Sequence, residues 1–135
     1  MGNLPLLLLV EDEPLIRTAL ASTLEDGGYT LLEAENGSEA VSLLEGHPNI
    51  TGLITDIRLG SGPTGWEVAR QARHFHPQIP VVYMTGDSAC DWSADGVPNS
   101  ILIQKPFADA QVITAISTLL NAADPTPVNQ QPPGS

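Results

Sequence analysis

At 135 residues the chain is long enough to bury one hydrophobic core without disulfides or structural metal, and one globular domain is the default reading. Its 41% hydrophobic content and mean hydropathy of +0.01 exclude a disordered polymer, and its longest apolar run, Leu6 to Val10, is far too short to span a bilayer. With 16 acidic against 5 basic residues and a net charge of −11, direct binding to nucleic acid or to an anionic lipid surface is not expected.

The run from Leu6 to Val10 reads as a first strand, and the segment before it lacks the basic region and cleavage site of a signal peptide. Pro14 at a first helical position then opens a helix with Ile16, Ala19, Leu20 and Leu24 on one face, closed by Gly27 and Gly28. Thr30 to Ala34 forms a more amphipathic second strand. Ser38 is placed to cap a short second helix bearing Ala40, Leu43 and Leu44, which Gly46 and Pro48 end. A third strand falls on Gly52, Leu53, Ile54 and Thr55. The helix from Trp66 sets Val68, Ala72 and Phe75 on one stripe before Pro77. Val81, Val82, Tyr83 and Met84 make a fourth strand. The next interval, with Asp91 and Trp92 followed closely by Gly96 and Pro98, leaves room for only a short or irregular fourth helix. Ile101, Leu102 and Ile103 make a fifth strand, and a last helix after Pro106 carries Val112, Ile116, Leu119 and Leu120.

Unbroken apolar runs suggest strands covered on both faces, as in a parallel sheet, although periodicity alone does not separate them from buried helix turns. Alternating with helices, they predict a doubly wound (βα)5 α/β domain over residues 1–122, with right-handed crossovers. Residues 123–135 are expected to be a disordered, proline-rich tail with nothing to pack, and no output domain is expected. The lone Cys90 cannot form an internal disulfide and reads as a small hydrophobe; a cytoplasmic location is expected. His47, His74 and His76 stand at helix ends and read as solvated structural residues. Trp66 reads as packing, and Trp92, on the poorly specified helix, as the better partner contact.

In such a sheet the ligand site lies beyond the carboxyl ends of the strands. There Glu11 and Asp12 end the first strand, Asp56 the third, Thr85 and Gly86 the fourth, while Lys105 follows the fifth. Three carboxylates brought together repel one another and call for a cation, and an all-oxygen donor set suits a hard ion such as Mg²⁺. With a cation holding a phosphoryl donor, one carboxylate oxygen could attack phosphorus, and Lys105 and the Thr85 hydroxyl could bind the transferred group. Singly, each residue has an ordinary reading: Asp12 as a cap of the first helix, Glu11 as a surface carboxylate, Thr85 as a turn hydroxyl.

The ordered set Glu-Asp, Asp, Thr-Gly and Lys-Pro-Phe, from Leu6 to about Ala122, resembles the receiver domain of bacterial two-component response regulators, in the single-domain, chemotaxis-regulator-like form. The resemblance implies a flavodoxin-like strand order 2-1-3-4-5 and Asp56 as phosphoacceptor. It implies Asp12 as a direct Mg²⁺ ligand, Glu11 acting mostly through water, and the Arg58 backbone carbonyl as a further ligand. Lys105 becomes the phosphate partner, Thr85 the switch hydroxyl, and Gly86 the residue that leaves room for the phosphoryl group. Arg58 and Asp87 flank the path of the hydrolytic water. The implied partners are a sensor histidine kinase, a histidine phosphotransfer protein and a downstream protein target, with a homodimer left open. The chain would be no enzyme beyond its own phosphorylation and slow dephosphorylation.

Three positions depart from the family pattern. The segment Ile57, Arg58, Leu59, Gly60, Ser61, Gly62, Pro63, Thr64 and Gly65 replaces a shorter loop with Met-Pro, leaving it free to be mobile. Leu102 stands where many receivers carry a switch aromatic, so output is expected through residues 87–98. The fourth helix is abbreviated. Among competing functions, a flavin carrier would need a phosphate loop where Glu11, Asp12 and Glu13 stand. A haloacid-dehalogenase-type phosphatase would need an acid where Arg58 stands. A degenerate receiver that signals without phosphate remains as the alternative.

Overall fold

The computed structural model describes residues 5–86 and 92–123; Asp87, Cys90, Asp91 and the tail from Asp124 lie outside the described residues. In chain order the elements are β1 (Leu6–Val10), α1 (Pro14–Asp26), β2 (Thr30–Ala34), α2 (Gly37–Gly46) and β3 (Ile50–Asp56). Then follow α3 (Gly65–Phe75), β4 (Val81–Thr85), α4 (Trp92–Asp95), β5 (Ser100–Gln104) and α5 (Asp109–Ala123). The strands form one parallel sheet in the order β2-β1-β3-β4-β5, as expected, and α4 is a single turn of four residues.

Strand side chains alternate between faces, so each apolar run feeds two cores at once. Leu8, Val10, Leu53, Val81 and Tyr83 point to one side, where Ala40 and Leu44 of α2 and Val68, Ala69 and Ala72 of α3 cover them. Leu7, Leu9, Ile54, Val82 and Met84 point to the other, beneath Leu20 and Leu24 of α1 and Val112 and Ile116 of α5. Most of these side chains are fully buried, and truncating a leucine among them to alanine costs about 2–5 kcal/mol.

The helix starts refine the sequence reading. Asn36, not Ser38, caps α2: its side chain accepts the Glu39 N–H at 2.8 Å. Helix α3 begins with a reciprocal capping box, the Glu67 N–H on the Thr64 hydroxyl at 3.3 Å and the Thr64 N–H on the Glu67 carboxylate at 2.9 Å. For α1 the cap position is Glu13, with no side-chain cap, so Asp12 is not spent on capping.

The glycine-rich β3–α3 loop is tied down at several points. Leu59 is buried, and Pro63 lies against Gly37 at the start of α2, where a β-carbon would come within 2.3 Å of the Pro63 carbonyl oxygen. Gly65 is more constrained still. Its N–H donates to the Ile57 carbonyl at 2.8 Å, and a β-carbon there would lie 2.1 Å from the Asp56 carbonyl oxygen. This close approach seats the first turn of α3 directly on the end of β3.

Candidate functional site

Register brings the acidic residues together. Val10 pairs with Thr55, so Glu11, one step beyond, arrives beside Asp56; Asp56 in turn pairs with Met84, and Thr85 with Gln104, which delivers Lys105 to the same edge. Glu11, Asp12 and Asp56 each present a carboxylate oxygen within 4.8 Å of the others. All three donors are oxygens, the set a hard divalent cation takes, and repulsion at this range is what such a cation would relieve.

Glu11 is not the surface carboxylate its ordinary reading allowed: it is wholly buried. Its backbone N–H donates to the Ala34 carbonyl at 3.1 Å, continuing the β1–β2 ladder, and its carbonyl accepts Arg17 Nη1 at 2.8 Å. Arg17 also pairs with Glu33 at 3.5 Å and so braces the end of β1, a role its place in α1 did not reveal. The Glu11 carboxylate accepts the Glu13 N–H at 3.1 Å. Burial first, and then the charge of Asp56, push the Glu11 pKa up to about 7, against the opposing pull of the Glu13 N–H and Lys105.

Asp56 is nearly buried. One oxygen, Oδ1, accepts the Ile57 N–H at 2.9 Å and the other, Oδ2, accepts Lys105 Nζ at 2.9 Å. The same ammonium reaches Glu11 Oε1 at 3.5 Å. Burial works to lower the Lys105 pKa, but the hydrogen bond and charge of Asp56, followed by those of Glu11, outweigh it and hold the group above its ordinary value. The Lys105 N–H also donates to the Thr85 carbonyl at 2.6 Å, which ties the lysine's backbone to the end of β4.

Thr85 is buried at that strand end, and among the described residues nothing lies within 4 Å of where a β-carbon on Gly86 would sit. Arg58 is exposed in the loop beyond Asp56. Asp87, expected across the water path from Arg58, lies outside the described residues. Leu102 faces Tyr83 across the β4–β5 ladder and packs, half-buried, against the core that contains it.

The arrangement can hold a divalent cation on a carboxylate cluster, with a lysine on one carboxylate from the side and a hydroxyl-bearing strand end next to it. The described residues contain no helix long and apolar enough to cross a membrane. The family model for the response regulator receiver domain matches residues 7–117. A crystal structure of a response regulator receiver protein from Sinorhizobium medicae WSM419 is similar at 42% identity, covering 90% of this chain and 98% of that one with a TM-score of 0.87. The response regulator receiver protein CpdR of Brucella abortus (strain 2308) is 30% identical over 119 residues, 87% of this chain and 98% of CpdR. Sensor kinase CckA of the same organism is 32% identical over 125 residues, 87% of this chain and 13% of CckA.

Proposed function

The chain belongs to the response regulator receiver domain family, and from that premise we propose that it is a phosphorylatable switch of a two-component system with Asp56 as its acceptor. The observation that carries the reading is the pairing of Asp56 Oδ2 with Lys105 Nζ at 2.9 Å inside a three-carboxylate cluster. A lysine so placed holds the acceptor now and can transfer its hydrogen bond to a phosphoryl oxygen later.

In the proposed reaction an Asp56 carboxylate oxygen bonds to the phosphorus of a phosphohistidine on a sensor kinase or histidine phosphotransfer protein. The phosphorus–nitrogen bond breaks and the donor imidazole leaves with its electron pair. Mg²⁺ held by Glu11, Asp12, Asp56 and the Arg58 carbonyl would neutralise the cluster and orient the phosphoryl oxygens. Lys105 and the Thr85 hydroxyl then bind two of those oxygens, Gly86 leaves space for them, and water later hydrolyses the acyl phosphate. A net charge of −11 favours a protein target over nucleic acid for the output.

The test is phosphorylation by a small acyl phosphodonor with Mg²⁺, reading hydroxylamine-labile phosphate on the chain. Asp56→Asn, which keeps the shape and one oxygen, is expected to abolish it. Undiminished label on the variant would overturn the assignment.

A further inference from the structure

Leu102 has no polar atom with which to carry a signal, yet its cross-strand neighbour does. Tyr83 precedes Thr85 by two residues on β4, and so shares its face of the strand, and it is fully buried. Its ring packs against Trp66 of α3 with centroids 4.7 Å apart and planes inclined at 60°. Its hydroxyl accepts the backbone N–H of Val97 at 3.0 Å, in the turn between α4 and β5.

That turn is knotted to the exposed side of the molecule. The Val97 carbonyl accepts the Ser100 hydroxyl at 2.7 Å, and the Ser100 oxygen accepts Trp92 Nε1–H at 3.0 Å. The Gly96 N–H closes the turn on the Trp92 carbonyl at 2.8 Å, and a β-carbon on Gly96 would strike the Trp92 ring at 2.4 Å. Trp92 itself remains 40% exposed. A continuous chain of short hydrogen bonds therefore runs from the centre of β4 to an exposed indole. From α3, Arg70 adds an ion pair to the Asp95 carboxylate at 3.9 Å.

We propose that Tyr83 is the positioning residue that couples β4 to the Trp92 surface, through Val97 and Ser100, in place of the aromatic that Leu102 displaces. The inference rests on the reading of Asp56 as a phosphoryl acceptor. A shift of Thr85 toward a phosphoryl group drags the strand that carries Tyr83. The hydroxyl then either moves the Val97 peptide with it or lets it go, and Trp92 changes its presentation to a partner.

Amide hydrogen exchange on the full chain tests this, in wild type and Tyr83→Phe, with Mg²⁺ and with or without beryllofluoride. Phenylalanine keeps the ring against Trp66 and removes only the hydroxyl. Without beryllofluoride the Val97 amide is expected to exchange about tenfold faster in the variant, as befits the loss of one buried hydrogen bond. With beryllofluoride bound, the wild type is expected to change protection at Thr85 and from Val97 to Ser100, and the variant at Thr85 alone. Ser100→Ala is expected to keep the change at Val97 and lose the change in Trp92 fluorescence, read with Trp66 replaced by Phe. The same beryllofluoride response from Val97 to Ser100 in wild type and Tyr83→Phe overturns the relay, even if the variant melts earlier. A wild type that binds no beryllofluoride overturns the Asp56 reading and the relay with it, whereas an unbound variant with normal Val97 exchange overturns the hydrogen bond itself.

Discussion

Replacing Glu11 by glutamine keeps the side-chain shape and the acceptor for the Glu13 N–H while deleting a buried charge. The Glu11 pKa lies at about 7 in the folded chain against an ordinary 4.5, a gap that at 1.36 kcal/mol per pH unit amounts to about 3 kcal/mol. Because the folded value is the higher one, the native state binds more protons than the unfolded chain between these two values, and stability falls as pH rises through that window. The favourable contribution is fully present below pH 4.5 and lost by about pH 8. Glutamine has nothing to lose. In EDTA at pH 8, Glu11→Gln is therefore expected to be more stable than wild type by up to about 3 kcal/mol, a difference that already includes the Lys105 contact at 3.5 Å, and the advantage should shrink steadily towards pH 4.5. For a domain of this size that corresponds to about 10 °C in melting temperature. Mg²⁺ should offset most of that advantage, since a ligand bound to the native state at 100 times its dissociation constant adds about 2.7 kcal/mol and Glu11 is part of the cluster it binds. The assay is thermal unfolding across pH in EDTA and in Mg²⁺. A variant less stable than wild type at pH 8 without metal, or a difference that ignores pH, would refute the reasoning.

Other expected outcomes follow from close contacts. Gly65→Ala should destabilise the fold by at least about 1–3 kcal/mol, because its β-carbon would sit 2.1 Å from the Asp56 carbonyl oxygen, and should slow phosphorylation by displacing that strand end; denaturant unfolding and labelling rates measure both. Thr64→Ala breaks one arm of the α3 capping box and should cost about 1 kcal/mol in the same unfolding assay, leaving Mg²⁺ affinity unchanged. Wild-type Mg²⁺ affinity should rise between about pH 6 and 8 as Glu11 gives up its proton, which titration calorimetry in buffers of different ionisation enthalpy would register as proton release. Arg58→Ala should shorten the phosphoryl half-life by opening the approach of water to Asp56; equal half-lives would remove Arg58 from that role.

Much of this protein is written in short windows of its chain. Five apolar runs of strand length, Pro14 at a helix start and the glycines that stop α1 determined the alternating architecture, because helix and strand periodicities act over a few residues. The ordered acidic, hydroxyl and lysine signals at the strand ends were legible for the same reason. The Thr64 and Glu67 capping box also lies within one short window, overlapping the apolar stripe that begins at Trp66, and the true cap Asn36 stands two residues before Ser38. What only the tertiary structure decided are the contacts between distant residues. The full burial of Glu11 depends on β2 and β3 flanking β1; the grip of Lys105 on Asp56 spans 49 positions and its reach to Glu11 spans 94. The bond from Tyr83 to Val97 likewise depends on where a four-residue helix happens to end. Desolvation and through-space charge depend on what surrounds a side chain in three dimensions. No window of the sequence contains that neighbourhood, so a glutamate read as one carboxylate among 16 acidic residues has, once packed, its pKa pushed up to about 7.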